Sequence, residues 1–115
     1  MNPASKVGKI VLLAAFSLLM AALSGCSLAL DATLDVHNDS GTDIYYLYVS
    51  PSSSDTWGSD QLGSTILFTG DTFTVTDIPP GSYDILALDD SDNTVHEEYG
   101  LYLDSGEVYD LYIVP

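Results

Sequence analysis

From Leu28 to Val36, apolar and polar side chains alternate almost without error. Leu28, Leu30, Ala32, Leu34 and Val36 fall on one side, and Ala29, Asp31, Thr33 and Asp35 on the other. A period of two is that of a strand with one buried face. It is incompatible with an amphipathic helix, whose apolar positions recur every three or four residues. The same texture continues in short pieces. "IYYLYVS" (44–50) is rich in aromatic and β-branched residues and predicts a central strand covered on both faces. Residues 66–68, 72–76, 82–88, 94–99, 101–103 and 108–114 are strand-like as well. Turn signals separate them: "NDSGTD" (38–43), a Ser- and Gly-rich loop over 51–63, "TGD", "IPPG" (78–81), "DDSDN" (89–93) and "DSGE". The expected fold is all-β: a single antiparallel β-sandwich of about seven to eight short strands, following a cleaved N-terminal signal helix.

The charge is divided sharply along the chain. Both basic residues, Lys6 and Lys9, precede residue 26, and all 17 acidic residues follow it. Nucleic acid is therefore not an expected partner, because neutralising phosphates requires Lys and Arg. The acidic part is not a solvating tail either. It holds the lone Trp, most of the aromatic residues and recurrent Val, Ile and Leu, enough for a modest core. One cysteine cannot form an intrachain disulfide, so that core must suffice.

Lys6 and Lys9 form a positive n-region, and "IVLLAAFSLLMAAL" (10–23) is an apolar run. Its 14 residues match a signal-peptide h-region and fall short of the roughly 20 that a spanning helix needs. It ends in "LSGC", Leu23-Ser24-Gly25-Cys26, which resembles the lipobox of bacterial lipoproteins. That resemblance implies diacylglycerol on the Cys26 thiol, cleavage before Cys26 and a further acyl chain such as palmitate on the new amine. Two or more acyl chains hold a protein on a bilayer where one does so only marginally. The implied organisation is a signal peptide over 1–25, the lipidated cysteine and a short tether over 26–29, and a β-sandwich domain over 30–115. Ser27 stands where an Asp favours inner-membrane retention in such lipoproteins. The implied location is the bacterial cell envelope, on the outer membrane facing the periplasm or the cell surface. The tether after Cys26 reaches only ~10 Å, which keeps the domain against the membrane.

Two further resemblances concern the domain. "GDTFTVTDIPPGSYDILALDDSDN" resembles the strand, Pro-Gly turn, strand unit of transthyretin-like and carboxypeptidase-regulatory-like sandwiches, and supports a fold alone. "NDSGTDIYYLYVSPSSSDTWGSDQLG" is similar to a stretch of small exported bacterial proteins with no functional residue to transfer.

Candidate sites follow from residue chemistry. Asp55, Trp57 and Asp60 share one loop, and an indole among Ser, Gly and Asp suits carbohydrate or peptide contacts. The competing and preferred reading folds Trp57 back onto the core, with the aspartates organising the loop. Asp89, Asp90, Asp92 and Glu97, with Asn93 and Glu98, gather oxygens of the kind Ca²⁺ takes. They lack EF-hand spacing, and a solvated hairpin tip is the preferred reading. No other cofactor is expected. His37 and His96 lack metal-ligand spacing, and no thiol nucleophile remains, so an enzyme is not expected. His37 falls on the polar face of the first strand near Asp35. Acid without base predicts self-repulsion that salt or divalent cations relieve. The expected function is a lipid-anchored structural or protein-interaction module, its contact surface drawn from Tyr45, Tyr46, Tyr48, Tyr99, Tyr102, Tyr109 and Tyr112, most of which are expected to fill the core. The alternative is a cation- or small-ligand-binding lipoprotein using the Trp57 loop or the acidic turn. The expected partners are the membrane, through the anchor, and another envelope protein.

Overall fold

Six strands form where the alternation is sustained. They are β1 (Ala32–Asn38), β2 (Tyr46–Pro51), β3 (Thr72–Ile78), β4 (Gly81–Leu88), β5 (Thr94–Leu103) and β6 (Val108–Ile113). The computed structural model describes residues 29–115, and among them there is no helix. The expected signal peptide, Cys26 and most of the tether lie outside the described residues. The strands make two three-stranded sheets, ordered β3-β1-β6 and β2-β4-β5. All pairings are antiparallel except β1 with β6, which is parallel.

Three expectations are corrected. The strand count is six, not seven or eight, for two local reasons. Residues 66–68 make only one bridge, Leu67 with Ile44, before the chain turns away at Gly70. Gly100 does not end a strand; it sits at φ +75° within β5. The sheets are not purely antiparallel, because the last strand returns beside the first in the same direction. And 44–50 is not a central strand: β2 is an edge, and β4 takes the central place.

β4 explains how both of its faces are covered. Tyr83, Ile85 and Ala87 join a buried cluster that also includes Ala32, Leu34 and Val36 of β1, Val75 of β3 and Leu111 and Ile113 of β6. Both sheets contribute to this cluster, which is the main core. Leu86 and Leu88 point the other way, into a second cluster with Tyr48 and Trp57. A fully buried Leu or Ile contributes about 1.5–3 kcal/mol, so the main core carries most of the fold. The alternation in β1 is as expected from Ala32 onward. Leu30 departs from it and is exposed. Its backbone instead holds the β5–β6 turn: Leu30 N–H donates to Ser105 Oγ at 2.8 Å, and Gly106 N–H donates to the Leu30 carbonyl at 3.0 Å.

Asp84 sits fully buried in the middle of β4. The β4–β5 register slips beside it, from Tyr83↔Leu101 to Ile85↔Glu98. Tyr99 and Gly100 thus oppose one residue, a bulge with glycine at positive φ. The bulge aims Gly100 N–H at Asp84 Oδ1, 3.0 Å away, and the Ser52 hydroxyl donates to the same oxygen at 2.7 Å. Asn38, also fully buried, pins the opposite end. Its Nδ2 donates to the carbonyls of Thr42 (2.8 Å) and Leu67 (2.9 Å), and its Oδ1 accepts from Ser40 Oγ (2.7 Å).

Candidate interaction face

The Trp57 loop is a cover on the fold. Trp57 is 4% exposed and packs with Tyr48, Leu86 and Leu88. The Tyr99 ring lies 6.0 Å away at a tilt of 44°. Asp60 organises the loop: its Oδ1 accepts from Leu47 N–H at 2.8 Å and Leu62 N–H at 3.0 Å, and its Oδ2 from Gly63 N–H at 3.1 Å. Asp55 is exposed. The three residues therefore share a loop but present no common surface with an open indole.

The acidic turn is likewise built from its own hydrogen bonds. Asp89 Oδ1 accepts from Asn93 N–H (2.8 Å) and Ser91 N–H (2.9 Å), and Oδ2 from Asn93 Nδ2 (3.1 Å). The Asn93 backbone N–H, foremost among these donors, holds the Asp89 carboxyl below the usual aspartate value. Asp92 takes φ +64°, which closes the hairpin. Asp90 and Asp92 are exposed, and Glu97 accepts the Tyr99 hydroxyl at 2.6 Å. That bond pushes the Tyr99 phenol up to about 12. Among the described residues, no three His, Cys, Asp or Glu are grouped so as to hold a metal ion.

A more ordered constellation lies on the face of the β3-β1-β6 sheet turned away from the core. Thr33, Asp35 and His37 project from β1, since Ala32, Leu34 and Val36 are inward. The parallel register sets Val108 beside Thr33, Asp110 beside Asp35 and Tyr112 beside His37. The antiparallel register sets Thr74 beside Asp35 and Thr72 beside His37. His37 is the centre of the group. Its Nε2 lies 2.9 Å from Asp110 Oδ1, its Nδ1 lies 2.8 Å from Thr72 Oγ1, and its ring stacks on Tyr112 at 4.4 Å and 11°. A carboxylate only accepts, so Nε2 carries the proton it shares with Asp110, while Nδ1 and the Thr72 hydroxyl, which can donate or accept, complete the pair. Asp35 accepts the Thr74 hydroxyl at 2.6 Å. Two aspartates directly opposite one another repel; His37 and Thr74 each bind one of them. The result is a flat, fixed patch of ring, hydroxyl and methyl groups.

Sequence reasoning placed His37 and Asp35 on this face through the β1 period. It did not bring in Thr72, Asp110 or Tyr112, because nothing local signals a parallel β1–β6 pair. Asp84 and Asn38 were also missed as structural centres. For Asp84 the available signal was a lone acid inside the apolar run "YDILAL". Of the seven tyrosines expected in a contact surface, Tyr48 is buried, Tyr45, Tyr46 and Tyr109 are half-buried, and Tyr99, Tyr102 and Tyr112 are exposed. A pocket of about 300 Å³, lined by Val49, Pro51, Val75, Asp77, Ile78 and Tyr83, opens beside β2 and β3. Its wall is fixed by the Tyr83 hydroxyl donating to the Pro79 carbonyl at 2.5 Å. No family model, curated protein or solved structure matches the chain.

Proposed function

We propose that the chain is a lipid-anchored β-sandwich of the bacterial cell envelope, held on the outer membrane through Cys26, which binds another envelope protein and carries out no catalysis. The observation that supports the interaction role most directly is β5. It is the longest strand, ten residues, and it forms an open sheet edge. It displays Tyr99 at 49% exposure and Tyr102 at 56%. An unpaired edge offers main-chain donors and acceptors for strand addition, and half-exposed tyrosines give large contact area at low entropic cost. The sequence features that support the anchor are the n-region, the apolar run and the "LSGC" that ends it.

A photo-crosslinking phenylalanine analogue in place of Tyr102 tests the reading in intact envelopes. One discrete adduct is expected, lost when the analogue replaces the buried Leu103. Smearing or no adduct at both Tyr102 and Tyr99 refutes the interaction role. Cys26→Ser is expected to release the protein from the envelope fraction and block its maturation; unchanged fractionation refutes the anchor.

A further inference from the structure

We propose that the face of the β3-β1-β6 sheet turned away from the core lies flat on the bilayer that holds the anchor. The inference rests on the lipidation of Cys26 proposed above. It adds an orientation: the membrane is the partner of this sheet, and β5 with Tyr102 is left free for protein.

Reach comes first. Leu30 is fastened to the β5–β6 turn through Ser105 and Gly106. Four peptide steps separate it from Cys26, at most about 14 Å of extended chain. The domain is therefore kept beside the lipid surface and must turn some face to it.

Each carboxylate of this face is held by a neighbouring group. An acidic body is repelled by anionic head groups within a Debye length of roughly 8 Å. Most of the 17 carboxylates lie at the ends and in the loops; β1, β3 and β6 carry three, Asp35, Asp77 and Asp110. Asp77 stands at the β3 bulge, where its Oδ2 accepts the Thr76 hydroxyl at 3.4 Å. Asp35 is bound by the Thr74 hydroxyl and Asp110 by His37, one of the two histidines that are the only basic side chains after Cys26. The rest of the face is Thr33, Thr72, Thr74 and Thr76 with the Tyr112 ring.

Apolar exposure points the same way. Leu30 (66% exposed), Val108 (61%), Tyr112 (56%) and Val114 (58%) follow the line from the anchored end along β6. Leu30 lies against the turn just before β6, close to Gly106. Asp110, held by His37, stands between Val108 and Tyr112; apolar side chains gathered along one edge suit a contact. A tyrosine within it suits the boundary between hydrocarbon and water, with its ring in one and its hydroxyl in the other.

The test uses the lipidated mature protein in phosphatidylethanolamine vesicles that carry a head-group nitroxide. Acylation consumes the Cys26 thiol, so an introduced cysteine is the sole labelling site. Val108→Cys, Val114→Cys, Tyr102→Cys and Ser91→Cys all sit at exposed positions. Each is labelled with one environment-sensitive fluorophore, and melting curves check that each variant folds. Val108 and Val114 are about 20 Å apart along the strand. Loss of emission at both, with emission retained at Tyr102 and Ser91, is the expected result. Loss at Val108 alone means that the domain stands on end and overturns the proposal, as does equal quenching at all four positions. Failure of the protein to float with the vesicles defeats the anchor itself and is distinguishable from either.

Discussion

Replacing Asp84 with alanine is expected to cost the fold about 2–4 kcal/mol. Two part-buried donors, the Ser52 hydroxyl and Gly100 N–H, converge on Asp84 Oδ1 at 2.7 and 3.0 Å. Alanine removes the partner of both; a fully buried donor left so costs roughly 1–3 kcal/mol, and these two keep some access to water. Their sum is reduced because the wild-type protein already bears the cost of burying the polar carboxyl group of Asp84. Asp84→Asn keeps a carbonyl oxygen where Oδ1 stands and is expected to cost less than alanine. Ser52→Ala removes one of the two donors together with its bond and is expected to cost about 1 kcal/mol. Trp57 is the lone tryptophan and is buried over β4, so its emission reports urea unfolding of the domain. The reasoning fails if Asp84→Ala unfolds within about 0.5 kcal/mol of the parent, the range of an ordinary surface change. It also fails if Asn and Ala are equivalent, for then the oxygen that receives Ser52 and Gly100 contributes nothing.

The remaining expectations concern titration, salt and packing. Tyr99 is expected to ionise at about 12 in an absorbance titration, and Glu97→Gln should return it towards the ordinary value of 10. Burial raises Tyr48 and Tyr83 as well. A raised folded value means stability fully present below pH 10 and lost as pH climbs through the folded values, so alkaline unfolding should begin above pH 10. For Asp89 the sign is opposite: its contribution is present above the ordinary carboxylate range and lost on acidification, so the stability deficit of Asp89→Ala at pH 7 should vanish in acid. Added NaCl should raise the melting temperature, and millimolar Ca²⁺ should raise it further. A melting temperature indifferent to NaCl, Ca²⁺ and EDTA refutes the claim that unpaired acid strains the fold. Trp57→Ala should destabilise by about 3–5 kcal/mol in urea unfolding followed by circular dichroism, as expected for an aromatic residue that caps a core.

What could be read in the sequence was whatever local chemistry decides. The alternation from Ala32 to Val36 fixes which side of β1 is buried, because side chains on a strand alternate whatever its neighbours are. The turn at 89–93 is legible because Asp89 and Asn93 close it with their own groups. Illegible were the features set by distant partners. Gly100 looks like a break, yet it becomes a bulge because a buried carboxylate on β4 needs its N–H. "IYYLYVS" looks central because both faces are greasy, but the second face is covered by Trp57 from the following loop. The interaction face is the extreme case. Its three strands come from the two ends and the middle of the domain, and their register has no local signal.

The pairing of β1 with β6 also governs when the chain can fold. Leu30 and Ser105 are 75 positions apart, and closing a loop of that size costs about 4 kcal/mol of chain entropy before any contact repays it. β1 cannot gain its second neighbour until the last strand has been synthesised, so early, partial closure is unfavourable and contact order is high. The domain therefore stays pliable while it is incomplete and becomes rigid only once its last strand is in place.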